Sequence, residues 1–114
     1  MTLIYKILSA DLWRQAEASG EFRGAPVDLA DGFIHFSFAG QLAETAQKHF
    51  FGQKDLLLLS VAEADLGPAL KHEVSRGGAL FPHLYGPLPV TKVRRVAALP
   101  ARSDGSHDFR DLLP

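Results

Sequence analysis

The 114-residue sequence contains no cysteine, and its formal net charge at pH 7 is only −1. The absence of cysteine excludes disulfides, thiolate nucleophiles and thiolate-bound metal ions. A charge so close to zero gives no electrostatic basis for a nucleic acid or an anionic membrane as the main partner. The one basic cluster, formed by Lys92, Arg94 and Arg95, is too short for a polyanion-binding surface.

Long apolar runs are missing as well. Runs such as Leu56 to Leu59 are far shorter than a membrane-spanning helix. The first residues, Met1 to Lys6, lack the basic-then-apolar order of a signal peptide. We therefore expect a cytoplasmic protein with no membrane partner and no extended nucleic-acid surface. The length is that of one domain, and 46% hydrophobic and 22% charged residues are typical of globular proteins.

Hydrophobic periodicity and turn residues predict two helices and several short strands. The helices are predicted at Ala10 to Ser19, capped by Ser9 and ended by Gly20, and at Gly40 to Phe51. The predicted strands are, in chain order, Leu3 to Leu8, Phe33 to Ser37, Asp55 to Ala62, Ala69 to Ser75 and Val90 to Leu99. Glu21 to Leu29 is predicted to be irregular, with Gly24 and Pro26 as breakers.

This order of elements favours a single α+β domain over residues 3–99. Its β-sheet is predicted to be mixed, or split, and to carry two main helices. Residues 100–114 are predicted to form a polar C-terminal tail, in which Phe109 and Leu112 are candidates to pack back onto the body.

The predicted strand Phe33 to Ser37 carries the first candidate site residues. Side chains alternate between the faces of a strand, so His35 and Ser37 are expected on one face, opposite Ile34 and Phe36. Ser37 also precedes a helix, whose free N–H groups favour an anion. We interpret His35 and Ser37 as ligand-binding residues. The alternative is that Ser37 only caps the helix and His35 is structural.

The segment Leu80 to Pro89 carries the second pair of candidates, His83 and Tyr85. Gly86 and two prolines follow them, and proline restricts the backbone. Rigid backbone that carries polar rings is typical of binding sites. The alternative is a rigid turn in which Tyr85 packs its ring and bonds through its hydroxyl.

Glu73 is the candidate acid–base residue, because a carboxylate near an imidazole can act as a general acid or base. The alternative is a solvated charge paired with Lys71 or Arg76. The predicted pocket is lined by five residues, of which Glu73 and His35 are the catalytic candidates. They are His35, Ser37, Glu73, His83 and Tyr85.

Several common motifs are absent from the sequence. The five histidines show neither a His-x-His nor a His-Glu-x-x-His spacing, so no metal site is predicted. No glycine-rich phosphate-binding loop is present, and no Gly-x-Ser-x-Gly motif of serine hydrolases is found.

Two motifs, Gly32 to Ser37 and Phe81 to Pro87, resemble those of the bacterial domain-of-unknown-function family 952. The resemblance covers Leu3 to Leu99. Further matching positions are Ile4 to Ile7, Trp13, Gln41 and Asp55 to Leu59. The family has no assigned activity, so this resemblance names no reaction.

More distantly, that family is similar to the ADP-ribosyltransferase-like fold. His35 and Ser37 resemble one histidine and the serine of a His-x-His-Leu-Ser strand in the tRNA 2′-phosphotransferase group. Tyr85 and Glu73 occur in the reverse of the order that classical ADP-ribosyltransferases use, and the arginines on which the phosphotransferases depend have no assigned counterpart here.

The resemblance implies a domain that binds a small nucleotide ligand of NAD or ADP-ribose type. An ADP-ribosyltransferase-like or phosphotransferase-like activity is the candidate reaction, with NAD as a substrate and no resident cofactor. The alternative is a non-catalytic module that binds a small metabolite or a peptide.

Overall fold

A computed structural model describes the backbone of residues 1–114 and every side chain except that of Arg76. Over these residues it contains nine strands and three α-helices in an α+β arrangement. The strands are β1 (Leu3–Ser9), β2 (Glu21–Phe22), β3 (Ile34–His35), β4 (Ser37–Phe38), β5 (Leu56–Ala62), β6 (Leu70–Val74), β7 (Leu80–Leu84), β8 (Leu88–Pro89) and β9 (Val93–Leu99). The helices are α1 (Ala10–Ser19), α2 (Pro26–Asp31) and α3 (Leu42–His49).

The strands form three separate sheets, with the orders β4-β1-β5-β9, β2-β8 and β3-β7-β6. All of the strand pairs are antiparallel. The predicted mixed sheet is therefore wrong in its strand directions, although the split into separate sheets is found. After α1 the chain leaves the four-stranded sheet and re-enters it through β4, so no parallel crossover unit forms.

Local signals account for helix α1, whose predicted bounds are confirmed. Ser9 Oγ accepts a hydrogen bond from the backbone N–H of Leu12 at 3.2 Å, as an N-cap does. Gly20 adopts a left-handed φ of 94° and donates its N–H to the carbonyl of Ala16 at 2.8 Å. Trp13 and Ala16 bury the inner face of the helix.

The segment predicted to be irregular contains strand β2 and the third helix, α2. Pro26 begins this helix, where its fixed φ is compatible and its missing N–H leaves no bond unmade. Asp28 accepts the N–H of Ala25 at 2.8 Å and so caps the first turn. The two main helices that were predicted, α1 and α3, are found, but the prediction missed the short α2 because it treated Pro26 as a breaker.

The predicted strand from Phe33 to Ser37 is divided into β3 and β4, which lie in different sheets. Phe36 separates them and donates its N–H to the carbonyl of Pro82 at 3.0 Å. Helix α3 begins later than predicted, because a 3-10 turn over Ala39–Gln41 precedes it.

Apolar clusters cover both faces of the four-stranded sheet. Along β1, Ile4 and Leu8 belong to one cluster and Tyr5 and Ile7 to the other. Strand alternation places Lys6 on the face of Ile4 and Leu8. The residues that pack from the C-terminal segment onto the second cluster are Phe109, Leu112 and Leu113. In the part of the chain that the structure describes, no helix has the length and apolarity needed to cross a membrane.

Candidate functional site

The antiparallel pairing of β3 with β7 sets His35 directly opposite His83. The centroids of their imidazole rings are 5.5 Å apart, and the ring planes meet at 69°. Phe33 stacks on His83 with a centroid distance of 4.0 Å. The structure thus brings together two histidines from distant parts of the sequence, next to one phenylalanine ring.

Two carboxylates hold His35 through both of its ring nitrogens. Nδ1 lies 2.6 Å from Asp28 Oδ1, and Nε2 lies 2.9 Å from Asp31 Oδ2. Both aspartates belong to helix α2, which places them one turn apart. Each ring nitrogen is thus within hydrogen-bond distance of a carboxylate oxygen. His35 therefore has no ring nitrogen left for another partner in this arrangement.

A buried ion pair lies beneath His35. Lys6 Nζ is 3.0 Å from each oxygen of Asp28, and the two residues are only 5% and 2% exposed. Asp28 also accepts the backbone N–H groups of Ala25 and His35. The pair consequently ties β1 to α2 and β3, the elements that position His35.

Opposing effects act on the pKa values of this pair. Burial on its own would raise the pKa of Asp28, but the hydrogen bond with His35, the charge of Lys6 and two backbone N–H groups lower it to about 2. Burial lowers the pKa of the Lys6 ammonium, and the neighbouring Asp28 opposes that change. Asp28 is therefore ionised at neutral pH.

Glu73 holds His83 and Tyr85 through a single carboxylate oxygen. Its Oε1 lies 2.9 Å from His83 Nδ1 and accepts the hydroxyl of Tyr85 at 2.7 Å. These bonds, first that of Tyr85 and then that of His83, lower the pKa of Glu73. The hydrogen bond to Glu73 and then burial raise the pKa of the Tyr85 phenol. Glu73 is thus an anion and Tyr85 a neutral donor at neutral pH.

The charge on Glu73 decides the tautomer of His83. An ionised carboxylate only accepts hydrogen bonds, so Nδ1 of His83 carries the proton. In the neutral form of the imidazole Nε2 then carries the lone pair, and it makes no hydrogen bond to a described residue. This nitrogen is a base held in a defined orientation. We call Phe33, His35, Glu73, His83 and Tyr85 the histidine cluster.

Ser37 does not belong to the histidine cluster, contrary to the sequence-based prediction. It pairs with Tyr5 of β1 in the four-stranded sheet, and its buried hydroxyl lies 3.0 Å from that of Thr45. The interruption at Phe36 breaks the alternation on which the prediction relied. Ser37 is also not a helix cap, because α3 begins at Leu42.

A cleft of about 470 Å³ adjoins the histidine cluster. It shares Phe33 with the cluster and Asp28 with the buried ion pair. Arg23 also lines it, and its guanidinium contacts Glu21 at 2.8 Å. The lining of the cleft does not include His35, Glu73, His83 or Tyr85. These residues, which were predicted to line a pocket, instead form a cluster next to the cleft.

Sequence reasoning missed Lys6, Asp28 and Asp31. Lys6 is a charged residue inside an otherwise apolar strand, which is a sign of a buried pair. Asp28 and Asp31 follow Pro26, and their spacing would have indicated one helix face if α2 had been predicted. Among the side chains that the structure describes, no group of three or more His, Asp or Glu could hold a metal ion.

Comparison with known proteins assigns the chain to a family. The model of DUF952, described as a protein of unknown function, matches residues 7–96. The chain belongs to the DUF952 family. The resemblance based on the two sequence motifs is thereby confirmed. No functionally curated protein matches the chain.

Three solved structures of the protein CC0527 from Caulobacter crescentus are similar to this chain. A crystal structure is 55% identical, covers 97% of both chains and has a TM-score of 0.94. A crystal structure of a double mutant is 53% identical, with the same coverage and TM-score. A solution NMR structure is 56% identical, covers 99% of this chain and 97% of the other, and has a TM-score of 0.88.

Proposed function

We propose that this protein binds a small nucleotide ligand of NAD or ADP-ribose type at the histidine cluster and the adjoining cleft, where His83 acts as a general base. The observation that carries the proposal is the unpartnered Nε2 of His83. Its ring is oriented by Glu73 and stacked on Phe33. A base held in this way beside a cleft is the usual form of an acid–base site.

The surrounding side chains support the ligand class. The rings of Phe33 and Tyr85 offer faces for a planar base. Asp31 is half exposed, and its carboxylate suits the hydroxyl groups of a ribose. Arg23 at the cleft suits a phosphate. The distant resemblance to the ADP-ribosyltransferase-like fold favours the same class, with the lower weight of a fold-level analogy.

The proposed reaction moves one proton at His83. Nε2 removes the proton from an acceptor hydroxyl, and that oxygen then bonds to the transferred group as the leaving group departs. The imidazolium that forms is stabilised by Glu73 through Nδ1, without transfer of that second proton. His35 is a positioning residue in this scheme, because both of its nitrogens are already bound.

Calorimetry and NMR titration with NAD, ADP-ribose, AMP and a 2′-phosphorylated RNA test the binding step. We expect saturable binding of at least one nucleotide, with shifts of the ring signals of His35 and His83. His83→Gln should weaken that binding. His72→Gln is the matched control, because His72 is exposed and pairs with Glu63 outside the cluster. A folded protein that binds none of the four compounds would refute the proposal.

A non-catalytic binding module is the second candidate. It is favoured by the bonding of His35, which leaves a single free imidazole nitrogen in the histidine cluster. Release of nicotinamide from bound NAD, or of phosphate from the RNA, separates the two candidates. Release that stops in His83→Gln supports the enzyme, whereas binding with no released product supports the module.

A further inference from the structure

A second cleft, of about 320 Å³, lies on the face of the four-stranded sheet opposite to Lys6. Apolar side chains from both ends of the chain form part of its wall, including Leu3, Leu112 and Leu113. Two hydroxyl-bearing residues and two arginines complete the lining. They are Tyr5, Ser60, Arg94 and Arg95.

Three polar residues form a row across the sheet at this cleft. Tyr5 of β1 is paired with Ser60 of β5, and Ser60 is paired with Arg95 of β9. Residues that are directly opposite in a ladder project from the same face. A phenol, a hydroxyl and a guanidinium therefore stand side by side on neighbouring strands.

The two hydroxyl groups of this row have no partner within the described part of the protein. Tyr5 is 1% exposed and Ser60 is 5% exposed, and neither hydroxyl takes part in a hydrogen bond with a described residue. Neither atom is sealed from the surface, so both hydroxyls open onto the cleft. They are available to a ligand.

The row also carries the positive charge of Arg95. Arg94 pairs with Asp65 at 3.0 Å, whereas Arg95 makes no ion pair with a described side chain. The register shift opposite Ser60 and Val61 brings the two adjacent arginines to the same cleft. Burial raises the pKa of Tyr5, so its phenol stays a neutral donor at physiological pH.

We propose that this second cleft binds a small organic monoanion, a carboxylate with an apolar body. The carboxylate accepts hydrogen bonds from Tyr5, Ser60 and Arg95, and the apolar body contacts Leu3 and Leu112. The guanidinium of Arg95 matches a carboxylate, and the apolar wall disfavours a fully hydrated dianion such as phosphate. This site is independent of the proposed nucleotide function.

Titration of the whole protein with benzoate, followed in ¹⁵N–¹H spectra, tests the proposal. We expect saturable shifts centred on residues 5, 60 and 95. Benzamide has the same ring without the charge, and it should bind about tenfold more weakly, as expected for the loss of a charged hydrogen-bond partner. Inorganic phosphate should also bind more weakly than benzoate.

Substitutions locate the carboxylate within the cleft. Arg95→Gln should weaken benzoate binding about tenfold, and Tyr5→Phe several-fold. Arg95 is exposed, so its replacement should leave the spectrum dispersed and the fold intact. Arg14→Gln, which removes an equal charge from helix α1, should bind benzoate as the unmodified protein does.

Four results would overturn the proposal. The first is the absence of saturation by benzoate in a folded protein, and the second is equal affinity for benzoate and benzamide or for benzoate and phosphate. The third is unchanged affinity in Arg95→Gln. The fourth is a set of shifts confined to His35 and His83, which would leave nucleotide binding at the histidine cluster open to its own test.

Discussion

His35 and His83 are opposite each other in one ladder, yet they are held in different ways. Both nitrogens of His35 contact aspartates, one of which belongs to the buried pair with Lys6. One nitrogen of His83 contacts the half-buried Glu73, and the other has no described partner. An imidazole can therefore act as an acid or base only where one of its two nitrogens has no fixed partner, whatever its place in the ladder.

The surroundings of the two histidines also differ in how much their charged groups stabilise the fold. On the anchor side, which comprises Lys6, Asp28, Asp31 and His35, the central ion pair is removed from water. Loss of one member of such a pair leaves an uncompensated buried charge. On the open side, which comprises Glu73, His83 and Tyr85, solvent screens the charge of the carboxylate. Four predictions test this division, in order of decreasing effect.

Asp28→Ala should cause the largest loss of stability. The substitution leaves the ammonium of Lys6 buried without a partner, at a cost of about 3–5 kcal/mol in the free energy of unfolding. Urea denaturation measures this loss. The double variant Lys6→Met with Asp28→Asn is the control, since it removes both charges and should be more stable than Asp28→Ala. A loss below about 1 kcal/mol for Asp28→Ala would show that the pair does not anchor the fold.

Acidification should cause the second-largest loss of stability, by protonating Asp28 on the anchor side. The pKa of Asp28 is lowered from 3.8 to about 2 in the folded protein. Its stabilising effect is therefore complete above about pH 4 and is lost as the pH falls through about 2, which amounts to about 2 kcal/mol. Unfolding free energies measured between those pH values should fall more steeply in the unmodified protein than in the Lys6→Met, Asp28→Asn variant. Parallel curves would contradict the assignment.

Glu73→Ala should change the open side without a measurable change in the midpoint of unfolding. The substitution removes the acceptor of His83 Nδ1, so the fixed tautomer should become a mixture. Ring ¹⁵N shifts of His83 report the proton position directly. Glu63→Ala removes the carboxylate that pairs with His72 and should leave the His83 signals unchanged. A single unchanged tautomer in Glu73→Ala would show that another group orients His83.

Tyr85→Phe should have the smallest effect. The lost hydroxyl is the largest cause of the lowered pKa of Glu73, so that pKa should rise toward its ordinary value. A carboxyl ¹³C titration of Glu73 measures the change. Tyr5→Phe removes a phenol at the second cleft and should not alter this titration. A pKa of Glu73 that is equal in both variants would mean that His83 alone holds the carboxylate.

Local signals in the sequence account for part of the fold. Ser9 and Gly20 mark the ends of α1 because a cap acts on the nearest turn of backbone. The same kind of reasoning failed at Pro26, which is compatible with the start of a helix as well as with a loop. The prediction therefore missed the short helix α2 and the two aspartates on it that contact His35.

The candidate site could likewise be predicted only where neighbouring residues in the sequence form it. The sequence shows His83 and Tyr85 together in one rigid segment. Both side chains form a hydrogen bond with the carboxylate of Glu73. The position of Ser37 was not predictable, because the bond from Phe36 to Pro82 interrupts the strand before it. A shift of one residue reverses the face on which a side chain lies.

The sequence alone was enough to predict the family, the bounds of α1 and the two polar rings, His83 and Tyr85, on one stiff segment. The contact between Lys6 and Asp28 depends on the three-dimensional fold, and so does the free nitrogen that His83 keeps and His35 lacks. Backbone preferences and caps act over a few residues, whereas the partner of a buried polar group is set by strand pairing and desolvation between distant segments.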